Sequence, residues 1–344
     1  MSNSAMPEWE LTFWDVGQGD ASSIKTSDGS YILIDTGPIS KRGNPVSQWF
    51  TFNASAAIRK IVITHNHKDH FGGLVSLLTS NREIEEVLLV KDRAEYENPQ
   101  KISYRILKAA INERESSKRT RFRWFDGAPY ELYSDGNLKL VALHPTALPD
   151  GVKADQNVTS MIIQLETVLN PGVPIVVWGG DAMLRDIGAK IINPGVGVLV
   201  GPHHGEPQDA LDEVDEFKKV LCPIAPKSVF VSVGTSNGYD HPKKQYLFGA
   251  AELGAAVCCS ELTKRCCRYL HDKRDVYPGS MMLGIKKPPK AIQCRGTMRV
   301  FVSTDGVLRF DECQEEFLDA VTAIENRYCK GRFTMLGASR VRAY

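Results

Sequence analysis

No run of apolar residues in this chain of 344 approaches the length needed to cross a bilayer. Met1-Ser2-Asn3-Ser4-Ala5-Met6-Pro7 has neither the basic start nor the apolar stretch of an export signal, so no membrane partner is expected and the cytoplasm is the expected compartment. An excess of one charge is missing too. Lysine and arginine number 42 against 41 acidic residues, a net charge of +1, which excludes a globally basic protein and confines any affinity for phosphate or nucleic acid to local clusters. Internal repeats and low-complexity tracts are absent. Eight cysteines are present, but the pairs Cys258-Cys259 and Cys266-Cys267 lack the two-residue gap of a zinc knuckle, and in a reducing compartment they read as buried or idle thiols. With 42% hydrophobic and 24% charged residues the chain can bury one large core, alone or with a small appendage.

What the chain does have is concentrated in Thr64-His65-Asn66-His67-Lys68-Asp69-His70-Phe71-Gly72-Gly73. This stretch follows Ile61-Val62-Ile63, which reads as a buried strand, so the histidines begin where a strand ends and opens on a cleft. His65 and His67, two apart, fall on one side of an extended segment, and Asp69 and His70 precede a helix expected to open at Phe71. Imidazole and carboxylate are the donors that bind zinc and other first-row divalent ions, and four of them in six positions can nucleate two adjacent sites. Gly72 and Gly73 would let a substrate approach a helix N-terminus whose free N–H groups favour an anion.

Other strand ends carry similar groups. Trp9-Glu10-Leu11-Thr12-Phe13-Trp14 leads into the glycine-punctuated loop Asp15-Val16-Gly17-Gln18-Gly19-Asp20. A hairpin is expected from Ala21 to Lys25 and Tyr31 to Ile34 around Asp28-Gly29, closing on Asp35-Thr36-Gly37. Asp35 reads either as a turn former or as a carboxylate that orients a ligand at the edge holding His65. Val173 to Trp178 is an expected strand ending in Gly179-Gly180-Asp181, whose carboxylate can bridge two cations; Val196 to Val200 is another, ending in Pro202-His203-His204-Gly205. A helix is expected from Lys243 to Leu253 and a strand from Ala256 to Cys259. Beyond the linker Lys286-Lys287-Pro288-Pro289-Lys290, a hairpin (Met298 to Ser303, Val307 to Phe310) and a helix (Glu315 to Tyr328) make a tail too short for its own core.

Together, Asp15 to Asp20, Leu33-Ile34-Asp35-Thr36-Gly37 and Thr64 to Gly73 resemble the metallo-β-lactamase superfamily, and within it the ComEC-type competence nuclease domain. Asn157-Val158-Thr159-Ser160, Trp178 to Asp181, Gly201 to Gly205 and Ser232 to Pro242 continue the likeness in the same order, from about residue 9 to 285. The resemblance implies an α/β fold, a four-layer αββα sandwich over residues 1–285 with a metal cleft along one edge. Residues 286–344 are then a small β-hairpin/helix extension, docked on the main domain or serving a protein partner. The membrane channel of the competence proteins is missing, so DNA uptake is not implied; the missing export signal disfavours the phosphocholine esterase role of a related branch.

The resemblance also implies two divalent ions, zinc or manganese. His65 and His67 would hold one with Asn157 or water, Asp69, His70 and His204 the other, and Asp181 would bridge them. Asp69, Asp181, His203 and His241 are the catalytic candidates, with His203 and His241 holding phosphate or protonating the leaving oxygen, although Asp240-His241-Pro242 is also an ordinary turn. Asp15, Gln18, Asp20 and Asp35 would shape the surroundings of the ligands. Many superfamily members carry a histidine before the strand that begins here near Met161. Asn157 stands in its place, and an amide oxygen, harder and weaker than imidazole, would loosen zinc preference and admit manganese. The nearest upstream histidine, His144, is a ligand or a capping or packing residue.

From Lys101 to Arg123, eight basic residues stand against two acidic ones, with Ile102, Ile106 and Ala110 at helical spacing. This reads as an amphipathic helix running into a basic tail, either a solvated face or a phosphate-backbone contact through Lys118, Arg119, Arg121 and Arg123. Phe122, Trp124 and Phe125 stack bases or pack in the core. The expected activity is a binuclear metal-dependent hydrolase, a phosphodiesterase or nuclease using a metal-bridging hydroxide. Hydrolysis of a thioester, lactam or amide, or a partner-regulated effector role in a multi-protein system, are the alternatives.

Overall fold

The structure is a computed structural model that describes residues 9–38, 43–90, 102–125, 127–145, 157–206, 211–266, 291–311, 313–322, 327 and 329. Strands β1 (Trp9–Phe13), β2 (Ala21–Lys25) and β3 (Tyr31–Thr36) run antiparallel. Strands β4 (Ile58–Ile63), β5 (Ile84–Val90) and β6 (Arg121–Phe125) then add in parallel, each reached across a helix: α1 (Pro45–Phe52), α2 (Lys68–Thr79) and α3 (Ile102–Ser116). Parallel neighbours need such crossovers, because a tight turn can only reverse the chain.

The second sheet repeats the plan. Strands β7 (Tyr130–Ser134), β8 (Leu138–His144), β9 (Ile162–Thr167) and β10 (Pro174–Trp178) are antiparallel. Strands β11 (Val198–Val200), β12 (Ser228–Val231) and β13 (Ala256–Cys259) follow in parallel across α4 (Leu184–Lys190), α5 (Val214–Leu221) and α6 (Lys244–Glu252). The chain then returns: β14 (Met298–Val302) pairs antiparallel with β1, Trp9 opposite Val302, β15 (Leu308–Phe310) extends it, and α7 (Cys313–Thr322) follows. The strand orders are β15-β14-β1-β2-β3-β4-β5-β6 and β13-β12-β11-β10-β9-β8-β7.

Side-chain alternation assigns the layers. In β4, Val62 joins the core between the sheets, whereas Ile61 and Ile63 join the core beneath α1, α2 and α3 with Leu33, Phe71 and Leu74. Between the sheets, the Phe13 ring lies 5.4 Å from that of Phe230 and 6.2 Å from that of Trp178. Leu184, Ile187, Phe217 and Tyr246 of α4, α5 and α6 pack with the second sheet. Each such side chain contributes about 1.5–3 kcal/mol of burial. The result is the expected αββα sandwich, with the carboxyl ends of β3, β4, β10, β11 and β12 on one edge. The Met161 N–H donates to the Thr64 carbonyl across 2.8 Å and ties the two sheets together at that edge.

Several elements differ from the sequence expectation. Helix α2 opens at Lys68, ahead of Phe71, which puts Gly73 inside the helix. Gly73 donates to the Gly37 carbonyl across 2.9 Å, and a Cβ there would overlap the Thr36 carbonyl oxygen. Its service is therefore close packing of α2 on β3, not access for a substrate. The basic tail is a strand, β6, at the edge of the first sheet. Its alternate cations Arg121 and Arg123 both reach the buried carboxylate of Glu86, which Lys60 also meets at 3.0 Å; Arg123 Nε lies 3.3 Å away. Charge on an outer strand also discourages pairing with another chain. Trp124 is exposed and Phe125 buried in the core. Helix α7 is described only to Thr322, and the linker 286–290 and most of 265–274 lie outside the described residues. Cys258, Cys259, Cys266, Cys294 and Cys329 are buried cysteines, and Cys222 is an exposed one. No described helix is long and apolar enough to cross a membrane.

Candidate metal centre

The strand ends aim their side chains through buried partners. At the end of β4, Thr64 donates to Asp35 from its backbone N–H (2.8 Å) and its hydroxyl (2.7 Å). Asp35 Oδ2 also accepts from His70 Nδ1 at 2.7 Å, leaving His70 Nε2 for the cleft. Asp35 has φ 54°, a left-handed conformation that aspartate tolerates better than most residues. His65 Nδ1 lies against the hydroxyls of Thr64 (3.2 Å) and Ser160 (3.3 Å). Ser160 Oγ also accepts the Asp181 N–H at 2.9 Å, which positions the carboxylate after β10.

Asp181 is the centre of the arrangement. Its Oδ2 lies 3.3 Å from His65 Nε2, 3.9 Å from His67 Nδ1 and 3.6 Å from His203 Nε2, while Oδ1 lies 3.2 Å from His70 Nε2. After β11, His203 and His204 occupy the left-handed region in succession, φ 48° and 56°, a conformation that costs about 1–3 kcal/mol per residue and persists only where surrounding structure imposes it. Here His203 N–H donates to the Gly180 carbonyl (2.9 Å), and His204 Nδ1 donates to the Ser232 carbonyl (3.1 Å). His204 Nε2 then faces Asp69 Oδ2 at 3.4 Å, with Asp20 Oδ1 3.6 Å from its Nδ1.

Two ligand groups result, each with its donor atoms within 4.8 Å of one another: Asp20, His70, Asp181 and His204; and His65, His67 and Asp181. Ligands at bonds of about 2.0–2.2 Å lie at most about 4.4 Å apart, so small inward shifts would complete either shell. The buried atoms Asp20 Oδ1 and Oδ2, His70 Nε2, Asp181 Oδ1 and His204 Nε2 make no hydrogen bond among the described residues. Leaving five buried polar atoms so placed is costly unless a cation takes them, and their oxygen and imidazole chemistry suits a divalent ion.

The electrostatics point the same way. Burial pushes His70 down, but Asp181 and Asp35 outweigh it and hold His70 well above its ordinary value. Burial likewise opposes the Asp181 charge, yet His70 and His65 keep that carboxyl well below its usual range. His204 is pushed up to about 10 because Asp20 and Asp69 overcome burial. His65 falls to about 4 through burial and the nearby His70, and burial raises Asp20 against the pull of His204. A divalent cation bound among these groups would therefore displace protons from the imidazoles.

Not every expected residue enters these groups. Asn157 is buried in the turn leading to β9, its carbonyl accepting from Ser160 N–H at 3.1 Å. His144 Nε2 donates to the Val158 carbonyl at 2.8 Å and so braces that turn. Asp15 holds its own loop, accepting from Gly17 N–H (3.4 Å) and Gln293 (3.3 Å). Gln18 meets His241 Nδ1 at 3.3 Å, and the His241 ring lies 5.1 Å from that of His203. Lys118 and Arg119 are exposed, and Arg121 and Arg123 engage Glu86. Asp20 offers a ligand atom in its own right, beyond shaping the surroundings. The hydroxyls of Thr64, Ser160 and Ser232 escape sequence reasoning, since a short hydroxyl at a strand end has no distinguishing pattern; Ser232 donates to the Gly19 carbonyl (2.5 Å) and braces the loop carrying Asp20.

Two imidazole–carboxylate groups sharing one aspartate, at the edge of an αββα sandwich, form a cluster able to bind metal. The Metallo-beta-lactamase superfamily model matches residues 14–221, and the chain belongs to that superfamily, whose members are mostly metal-dependent hydrolases. No curated protein sequence matches it. Among solved structures, unliganded yeast PDE1 is similar over 74% of this chain and 97% of its own, at 13% identity and a TM-score of 0.42. A long form RNase Z from yeast is similar over 75% of this chain and 42% of its own, at 12% identity and a TM-score of 0.40. A metallo-β-lactamase from Pontibacter korlensis covers 52% of this chain and 69% of its own, at 15% identity and a TM-score of 0.28. The chain thus spans less than half of the RNase Z chain, and likenesses at this level carry no argument about activity.

Proposed function

We propose that the chain is a binuclear metal-dependent phosphodiesterase of the ComEC-type branch, acting on nucleic acid in the cytoplasm. The observation that carries the reading is the single carboxylate of Asp181, whose two oxygens face two different ligand groups 3.2–3.9 Å away. His65 and His67, with Asn157 or water, would hold one divalent ion; His70, His204 and the carboxylates of Asp20 and Asp69 would hold the other; Asp181 would serve both. Two such ions, zinc or manganese, would supply Lewis acidity toward a phosphate oxygen and a water of lowered pKa. The chain's own part is positional. Asp35 and Ser232 hold His70 and His204 in the tautomers that present Nε2, Ser160 holds Asp181, and His203 and His241 line the side of the cleft where a phosphate oxygen would lie. The ordered run of blocks from Asp15 to Pro242 supports phosphate over carbonyl substrates.

The test is hydrolysis of bis-p-nitrophenyl phosphate and of labelled single- and double-stranded DNA and RNA with manganese or zinc, comparing wild type with Asp181→Ala and His67→Ala. Metal-dependent cleavage that both variants abolish is the expected result. A protein that binds two ions yet leaves every phosphodiester intact would overturn the reading in favour of carbonyl hydrolysis.

A further inference from the structure

Hydrogen-bond partners determine which nitrogen of each cleft imidazole carries a proton. Nδ1 of His70 faces the Asp35 carboxylate, Nδ1 of His203 faces the Glu206 carbonyl at 2.6 Å, and Nδ1 of His204 faces the Ser232 carbonyl. These oxygens only accept, so all three rings carry a proton on Nδ1, and in the neutral ring Nε2 is the acceptor or ligand atom. His241 is different. Its Nδ1 lies 3.3 Å from the side-chain nitrogen of Gln18, an amide that donates.

The orientation of that amide follows from its other end. Gly234 N–H, which can only donate, lies 3.4 Å from Gln18 Oε1, so the oxygen faces Gly234 and the NH2 group faces His241. A Cβ on Gly234 would come within 2.8 Å of the Gln18 backbone nitrogen, so a glycine is what lets the two loops approach closely enough for this contact. The ring's backbone is pinned as well: Asn237 accepts from His241 N–H at 3.1 Å and donates to the His241 carbonyl at 3.1 Å. With Nδ1 accepting, the neutral ring carries its proton on Nε2.

We propose that Gln18 is a positioning residue that locks His241 in the Nε2–H tautomer, which makes His241 a hydrogen-bond donor of the cleft to an anionic substrate oxygen, beside an acceptor nitrogen on His203. The pairing divides labour between two imidazoles whose rings are 5.1 Å apart. It deepens the phosphodiesterase reading and rests on it for the identity of the oxygen, a non-bridging or leaving oxygen of a phosphodiester.

The experiment is long-range proton–nitrogen NMR of the zinc-loaded protein labelled with ¹⁵N-histidine, His241 being assigned from its loss in His241→Gln. Wild type is expected to show a protonated Nε2 and a bare Nδ1 at His241. In Gln18→Glu a carboxylate replaces the donor, so Nδ1 gains a proton, and turnover of bis-p-nitrophenyl phosphate falls about 10²-fold at unchanged zinc content, as for loss of one preorganised donor. Gln18→Met, uncharged and of similar size, decides the case should the glutamate variant lose zinc: both tautomers become populated. A wild-type ring protonated on Nδ1, or an unchanged single tautomer in Gln18→Met, overturns the inference. The expected tautomer in a protein that cleaves no phosphodiester overturns only the proposed reaction.

Discussion

Asp35 offers the sharpest separation between holding the fold and holding the metal. Its carboxylate accepts three hydrogen bonds, from Thr64 N–H, Thr64 Oγ and His70 Nδ1, at 2.7–2.8 Å in a buried position. Asparagine keeps the shape and tolerates φ 54°, so Asp35→Asn adds no backbone strain. Its remaining oxygen still serves Thr64 N–H, while its NH2 group replaces the oxygen that received both Thr64 Oγ and His70 Nδ1. The hydroxyl can rotate and accept. The imidazole cannot without moving its proton to Nε2, the atom aimed at Asp181. Losing a hydrogen bond to a charged group costs about 1.5–3 kcal/mol of stability. Misorienting a ligand costs about 10–100-fold in metal affinity, which removes about 1.4–2.7 kcal/mol of metal-induced stabilisation. Competition with a fluorescent chelator measures the loss of zinc affinity, and urea unfolding with and without zinc measures the loss of stabilisation. Unchanged zinc affinity together with an unchanged zinc-dependent stability increment in Asp35→Asn would refute the argument that Asp35 sets the His70 tautomer.

Other perturbations follow from the same geometry. Gly180 has φ 51°, and a Cβ there would overlap Ser160 Oγ, so Gly180→Ala should cost about 2 kcal/mol or more in urea unfolding and weaken zinc binding by displacing Asp181. Glu86→Gln leaves Lys60, Arg121 and Arg123 without their shared anion; it should cost about 2 kcal/mol and, by freeing two cations on an edge strand, steepen the salt dependence of DNA binding by up to about 0.9 for each further phosphate neutralised. An unchanged salt slope would place the nucleic acid elsewhere. In the metal-free protein His204 is raised from 6.5 to about 10, so its contribution to stability is fully present below about pH 6.5 and is lost as pH rises toward 10. Zinc displaces that proton, so its addition at pH 8 in weak buffer should release protons measurable with an indicator dye, and His204→Gln should reduce the release.

Chemical type and strand placement are legible in the sequence; partner geometry is not. Strand β13 runs over the residues its pattern indicates, Ala256–Cys259, and the buried run Ile61–Ile63 does deliver Thr64 and His65 to a sheet edge, because alternation and β-branching are local properties. The residues of β6 read as a basic tail following a helix because the residue that explains their charges, Glu86, lies on the neighbouring strand and is invisible in a window around Arg121. The pairing of Trp9 with Val302 is equally non-local. The centre divides along the same line. That histidines and aspartates gather is written in short motifs, but whether a given imidazole donates or accepts is written in its distant partner: Asp35 for His70, Ser232 for His204, Gln18 for His241. The consecutive left-handed residues His203 and His204 belong here too, since it is the distant Gly180 and Ser232 that hold them in place. A sequence motif can therefore select the ions a cleft would take well before it selects the direction in which protons move there. The second property depends on hydrogen bonds spanning 28 to 223 positions of chain, so it is set by packing rather than by pattern.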